Sequence, residues 1–209
     1  MVLTDEALLE RWRGGDRQAG QQLVTRHYKP VFLFFWGKVG EQAGADLTQD
    51  TFETLCAGHD RFHGASSVRT YLFGIARWKL VEHLRKERRT RERYDPLEDG
   101  IDAPTVERSL TSLFTHKQHE ALLVRGLRSL PLEDQLLLEL KDYEDLTARE
   151  LAEIFDVPAA TVAGRINRAR DRLRHAVIAV AASGVLAEQT LLGLDSYFRG
   201  IRAVLLAAK

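Results

Sequence analysis

The stretch "LTARELAEIFDVPAATVAGRINRARDRLR" (residues 146–174) decides the fold. Thr147 stands three residues before Glu150, the spacing of a capping box, in which hydroxyl and carboxylate satisfy each other's helix-start amides. Leu151, Ala152 and Phe155 give the short helix an apolar face, and Asp156-Val157-Pro158 ends it in a tight turn. A second helix turns Val162 and Ile166 inward at i, i+4, while Arg165, Arg168 and Arg172 recur on its other faces. The small Ala152 lets the two helices cross closely. Caps, turn and basic second helix together make a helix-turn-helix, whose second helix enters the major groove of DNA. On that reading Ala159, Ala160, Thr161 and Arg165 are placed to meet base edges, and Arg168 and Arg170 to meet phosphates.

Outward from this motif the chain continues to read as helix. No run of alternating β-branched residues and no Asn-Gly or Asp-Gly hairpin occurs, so the fold class is all-α. Thr4 is expected to cap a first helix carrying Leu8, Leu9 and Trp12, which Gly14-Gly15-Asp16 breaks. A second helix runs from about Arg17 toward Gly37, burying Leu23, Tyr28, Val31, Phe32 and Phe35, with Pro30 as a kink point. A third is expected from near Ala45 to near Gly58, then a loop, then a long helix from Val68 that grows more basic. "YDPLEDGIDAPTVE" (94–107) changes the composition to two prolines, one glycine and five acids without a base, the mark of an interdomain linker. The expected organisation is a first helical domain over 1–93, an acidic linker over 94–116, a helix-turn-helix domain over 117–178, and a C-terminal helical extension over 179–209. That extension should form one or two helices, broken near Gly184 or Gly193, and should serve mainly as packing.

Bulk composition excludes several functions. The 209 residues are 44% hydrophobic and 29% charged, with 30 basic and 30 acidic residues. The neutral total hides a segment from Arg61 to Arg93 with ten Lys/Arg against three Glu. Cys56 is the only cysteine, so no intramolecular disulfide forms, which suits a reducing cytoplasm. The charged N-terminus is no signal peptide, and the most apolar segment, 176–187, is short of the roughly 20 residues of a membrane span. His59 with His63, and His116 with His119, lack a third ligand. Ser66-Ser67 lacks an acid-base partner, so a loop and helix cap is the better reading. No catalytic residue, metal or cofactor is expected. The start of the basic helix mixes Phe62, Tyr71, Phe73 and Trp78 with Arg69, Arg77 and Lys79. That mixture suits an unpaired strand, yet Tyr71, Leu72 and Ile75 equally suit a helix core.

"DLTQDTFETL", "FHGASSVRTYLFGIARWKLVEHLRK" and the helix-turn-helix, in this order with this linker, resemble a bacterial extracytoplasmic-function (ECF) sigma factor. "GGDRQAGQQLVTRHYKPVF" (14–32) is similar to that family's opening helices. The resemblance covers roughly residues 5–178. It implies sigma region 2 in the first domain and sigma region 4 in the second, no enzymatic activity, and core RNA polymerase and promoter DNA as partners. Asp46, Gln49, Asp50 and Glu53 would face the polymerase. Phe62, Ser66, Ser67, Arg69, Tyr71, Arg77 and Lys79 would grip the minus-ten element, with Arg85 and Lys86 tracking duplex phosphates. Ala160, Thr161, Arg165, Arg168 and Arg170 would contact the minus-thirty-five element. The chain departs from the family pattern at Val68, Gly74 and Trp78, often Phe, Arg and Asn, and at Ala163-Gly164, often Lys-Ser.

Relatives commonly carry an Asp-Ala-Glu-Asp-like run where this chain reads Ala43-Gly44-Ala45-Asp46. Two carboxylates are missing. On a helical wheel Thr51 falls at the border of the acidic face, and a phosphate there would add about −1.5 to −2 charge. The resemblance to kinase-controlled members makes a Ser/Thr kinase acting on Thr51 the expected activator, with an anti-sigma factor as a further candidate partner. Two other readings stand beside this one. A polymerase-independent helix-turn-helix regulator would leave the N-terminal half unexplained. A sigma-mimicking interaction module would have no need of Arg69, Arg77, Lys79, Arg165 and Arg168.

Overall fold

The computed structural model describes residues 3–58, 64, 66–94 and 117–207. Among them it contains ten α-helices and no strand. The linker expected over 94–116 lies almost wholly outside the described residues. The chain divides into two compact units, Met1–Pro104 and Thr105–Lys209. No helix among the described residues is long and apolar enough to cross a membrane.

The first unit holds α1 (Asp5–Arg13), α2 (Arg17–Val39), α3 (Glu41–Gly58) and α4 (Val68–Tyr94). Local chemistry sets the first boundaries. Thr4 Oγ1 accepts from the Ala7 amide at 3.2 Å. Asp16 Oδ1 accepts from the Gln18 and Ala19 amides at 3.0 and 3.1 Å. Leu8, Leu9, Ala19, Leu23 and Val68 pack together, with Leu3, Trp12 and Tyr71 against them. Further along, Val31, Phe34, Phe35, Leu55, Leu72, Phe73, Ala76 and Leu80 fill the core. Each fully buried large side chain contributes about 1.5–3 kcal/mol. Phe34 meets Phe35 and Phe73 edge-on at 5.3 and 5.7 Å.

Two details differ from the sequence expectation. Tyr28 is 45% exposed, because the inward stripe of α2 passes through His27, Val31 and Phe34 instead. Helix α3 begins at Glu41, not near Ala45, because the single residue Gly40 (φ 84°) is enough to end α2 and start the next helix.

His27 is buried because Asp5 receives it: His27 Nε2 lies 2.6 Å from Asp5 Oδ2, and Arg26 pairs with the other carboxylate oxygen. This ties α1 to α2. The hydrogen bond to His27, followed by the charge of that ring and of Arg26, holds the Asp5 carboxyl below its ordinary value of 3.8 despite partial burial.

The second unit is built from α5 (Gln118–Arg128), α6 (Leu132–Asp142), α7 (Ala148–Phe155), α8 (Ala159–Val180), α9 (Gly184–Leu192) and α10 (Leu194–Ala207). Helix α5 packs on α8, α9 and α10, and α6 packs on α7, α8 and α10. A Cβ added to Gly126 would lie 2.7 Å from Val177 Cγ2, so this glycine permits the close crossing of α5 and α8. The α5–α6 corner is held by Gln135, whose Nε2 donates to the carbonyls of Leu130 and Arg128 at 2.7 and 3.2 Å. Arg128 reaches back to Gln135 Oε1 and to the buried Glu139. The C-terminal extension packs as core: Ala187, Leu194, Phe198 and Ile201 are buried, and Phe198 meets Tyr143 edge-on.

Asp5→Asn tests the α1–α2 tie. The folded state holds Asp5 more acidic than the unfolded chain does, so its stabilisation is present above pH about 4 and is lost as pH falls below it. The variant should lose about 1.5–3 kcal/mol at neutral pH and show a shallower loss of stability on acidification. Trp12, Trp36 and Trp78 all lie in the first unit, so tryptophan fluorescence during urea unfolding reports it directly.

Candidate docking and nucleic-acid interfaces

Helix α3 has two chemically opposite sides. Gly44, Leu47, Thr48, Thr51, Phe52 and Leu55 are buried, whereas Asp46, Gln49, Asp50 and Glu53 are exposed. The crossing with α2 is close at Gly44, where an added Cβ would lie 3.2 Å from the Trp36 backbone. The exposed side is laced along the helix. Gln49 Nε2 donates to Glu53 Oε1 at 2.8 Å, and Gln42 Nε2 to Asp46 Oδ1 at 3.4 Å. The four residues expected to face the polymerase therefore share one solvent-facing surface.

Thr51 is not at the border of that surface. It is 0% exposed, and its hydroxyl donates to the Leu47 carbonyl at 2.7 Å. At about 100° per residue Thr51 lies about 130° from the middle of Asp46, Asp50 and Glu53, inside the buried arc that runs from Leu47 through Leu55 to Phe52. Phosphorylation of Thr51 on the folded helix is thereby corrected: neither a kinase nor a phosphate has room there. Thr48 and Thr54 make the same i−4 bond, to Gly44 and Asp50.

Helix α4 buries Val68, Leu72, Phe73, Ala76 and Leu80 along one side. Ser67 starts the helix: its Oγ accepts from the Thr70 amide at 3.1 Å, and the two hydroxyls lie 2.7 Å apart. The cap reading of Ser67 therefore holds. Ser66, Arg69, Tyr71, Arg77 and Lys79 are half-buried, whereas Arg85 and Lys86 are exposed. Arg69 lies over the Phe73 ring at 6.0 Å and Lys79 over the Trp78 ring at 5.5 Å. Among the aromatics, Phe73 belongs to the core, Tyr71 packs against it, and Trp78 is 58% exposed. Phe62, with His59 and His63, lies outside the described residues.

In the helix-turn-helix, Thr147 Oγ1 accepts from the Glu150 amide while the Thr147 amide donates to Glu150 Oε2, completing the capping box. Asp156 takes the left-handed conformation (φ 51°) that reverses the chain between α7 and α8. Val162, Ile166, Ala169, Leu173 and Val177 form the buried stripe of α8. Ala160 and Arg168 are exposed, and Thr161 and Arg165 are half-buried.

Arg170 departs from its expected role in DNA contact. It reaches Asp142 of α6 at 2.8 Å and Asp195 of α10 at 3.8 Å, so it serves the interior of the unit. Burial raises the Asp142 carboxyl above its ordinary range, against the opposing pull of Arg170.

Sequence reasoning placed Tyr28 and Phe32 in the core, whereas they join Trp36 in an outer aromatic row, Tyr28 exposed and Phe32 and Trp36 half-buried. Tyr28, Phe32 and Trp36 stack along α2, and Tyr28 also stacks on Phe52 of α3 at 6.2 Å. Their i, i+4, i+8 spacing was the available signal. His119, considered as a metal ligand, instead meets Thr190 Oγ1 at 2.8 Å and stacks on Tyr197. Among the described residues no group of three or more His, Cys, Asp or Glu is placed to hold a metal ion.

With these surfaces in place, known families match each unit. Residues 23–90 match Sigma-70 region 2, and residues 120–173 match Sigma-70, region 4. The chain is 32% identical over 173 residues to the ECF RNA polymerase sigma factor RpoE of Cereibacter sphaeroides, covering 81% of this chain and 92% of that one. It is 28% identical over 181 residues to the ECF RNA polymerase sigma-E factor of Haemophilus influenzae, covering 84% and 96%. The sigma factor RpoE solved with the anti-sigma factor NepR from Bartonella quintana shares the fold, with a TM-score of 0.59 at 18% identity over 77% of this chain and 98% of that chain. The two matched regions define a non-enzymatic transcription initiation factor. The chain belongs to the ECF sigma factors, alternative sigma factors of RNA polymerase.

Thr51→Glu should place an unpaired carboxylate in the α2–α3 interface, at a cost of several kcal/mol. The expected result is an earlier urea midpoint in tryptophan fluorescence and no gain in polymerase binding. Thr51→Val, which keeps the volume, should lose only about 1 kcal/mol.

Proposed function

We propose that the exposed side of α3 docks the factor on core RNA polymerase through Asp46, Gln49, Asp50 and Glu53. The single observation that carries this reading is the two-sidedness of α3: the helix is rigidly packed on α2 while its four polar residues face solvent together. Helix α4 engages the minus-ten element, with Arg69, Tyr71, Arg77 and Lys79 at its first turns and Arg85 and Lys86 on phosphates beyond. Helix α8 meets the minus-thirty-five element through Ala160, Thr161, Arg165 and Arg168. The cytoplasm is the compartment in which such a factor works.

The docking face is weakly charged for its task. Ala43 and Ala45 stand where relatives commonly place carboxylates, so affinity for polymerase should be modest without help. A Ser/Thr kinase as the helper is supported by this charge deficit alone. The threonine of α3 that such a kinase would meet on the folded chain is the half-exposed Thr54. An anti-sigma factor is proposed as a partner on the strength of the solved RpoE–NepR complex. A regulator acting without polymerase would use the helix-turn-helix alone and would give the α3 face no task.

Charge reversal tests the docking face without disturbing the fold, because the residues are exposed. Asp46→Lys combined with Asp50→Lys should weaken core polymerase binding by about tenfold or more, since close interfacial charge pairs couple by at least ~1.5 kcal/mol. Arg168→Ala should leave that binding intact while reducing promoter affinity and its salt dependence. Arg170→Ala should instead lower the stability of the second unit.

A further inference from the structure

Helix α9 carries apolar side chains on both of its sides. Ala187 and Thr190 are buried on the inner side, where the helix packs on α5 and α8. At about 100° per residue, Val185, Glu188, Gln189 and Leu192 all fall within about 50° of the opposite direction. All four are exposed, Val185 at 66% and Leu192 at 83%. Glu188 is the only charged side chain of the nine residues. A helix apolar around its whole circumference is ordinarily enclosed on every side. The large hydrophobic side chains left exposed among the described residues are Tyr28, Trp78, Ile178, Val185 and Leu192. The last three fall together, at the end of α8 and along α9, so this exposure is concentrated in one stretch and not scattered singly.

The order of the outward residues selects the occupant. Val185, Glu188, Gln189 and Leu192 read alike from either end: apolar, polar, polar, apolar, with equal gaps on both sides of the polar pair. Two copies of α9 laid antiparallel, with a two-fold axis between Glu188 and Gln189, set Val185 on Leu192 of the second copy and Leu192 on its Val185. Each Glu188 then meets Gln189 of the other copy, whose amide N–H donates to the carboxylate. A parallel register would instead oppose the two Glu188 carboxylates, and like charges brought together across an interface are unfavourable. The antiparallel pairing is isologous, so it closes at two copies.

We propose that the outward side of α9 is a homodimer interface, in which Val185, Glu188, Gln189 and Leu192 pair antiparallel with the same four residues of a second copy of this chain. The inference is independent of the reading of α3 as the polymerase-docking helix. One short helix per copy makes a small contact, in the size range of transient interfaces, so the dimer is reversible and roughly micromolar or weaker.

Sedimentation velocity on the full chain, from about 1 μM to about 1 mM so as to span weak association, reads the equilibrium directly. Wild type should pass reversibly from monomer to dimer. Val185→Asp combined with Leu192→Asp should stay monomeric, with unchanged helicity by circular dichroism because both residues are exposed. Gln189→Arg puts a cation opposite Glu188 at both symmetric positions and should tighten the dimer about 2- to 30-fold, the effect of two added surface ion pairs. Should the double variant lose helicity, the Gln189→Arg result decides alone. Wild type that remains monomeric throughout would overturn the proposal. Dimerisation that survives the double aspartate variant with its helicity intact would place the interface elsewhere and overturn it as well. Dimerisation that Gln189→Arg leaves unchanged or weakens would overturn the antiparallel register, and open-ended association would overturn the closed pairing.

Discussion

The packing of α3 against α2 at Gly44 fixes what the first unit can present. With no side chain at that position, α3 lies against the Trp36 backbone, where an added Cβ would sit 3.2 Å away. Thr48, Thr51 and Leu55 follow on the same inner side, each essentially unexposed. A helix seated at such close range has one rotational setting. That setting turns Asp46, Gln49, Asp50 and Glu53 outward and leaves Ala43 and Ala45 on the flanks. Low charge on the proposed docking face is thus a property of two alanines, since Gly44 itself points inward and could carry no carboxylate. The inner threonines satisfy their hydroxyls on their own helix, which lets polar residues sit where leucine would otherwise be expected.

A comparable constraint governs the second unit. Helix α8 is clamped along a long buried stripe from Val162 to Val177, and Arg170 anchors it laterally to α6 and α10. The C-terminal extension is therefore part of what orients α8. His119 meeting Thr190 and stacking on Tyr197 joins α5 to both helices of the extension. An arginine spent on this anchoring is withdrawn from the surface, whereas Arg168 stays exposed.

Much of this was legible because the decisive signals were local. The capping box at Thr147 and Glu150, the break before Arg17 and the inward pair Val162 and Ile166 depend on residues within a few positions of one another, and all appear in the structure. What failed were readings that needed a partner distant in sequence or a complete inward arc. Arg170 looked like a phosphate contact because Asp142, 28 residues earlier, gives no local sign of its proximity. Thr51 looked accessible because it was set at the border of the acidic face, although at about 100° per residue it lies about 130° from the middle of Asp46, Asp50 and Glu53. Tyr28 looked buried because its neighbour His27, an unusual core residue, takes the inward place once Asp5 is present to receive it. The aromatics of α4 could not be sorted between core and strand until burial separated Phe73 and Tyr71 from Trp78.

The functional reading depends on the proposed docking of the exposed side of α3 on core polymerase. It is tested most directly by runoff transcription on a pool of genomic fragments, with core polymerase alone, with the chain added, and with the Asp46→Lys/Asp50→Lys form added. Discrete new transcripts with the wild-type chain, and their loss with the charge-reversed form, are the predicted result. Tight binding of duplex DNA by the chain alone, with no new transcripts from polymerase, would contradict it.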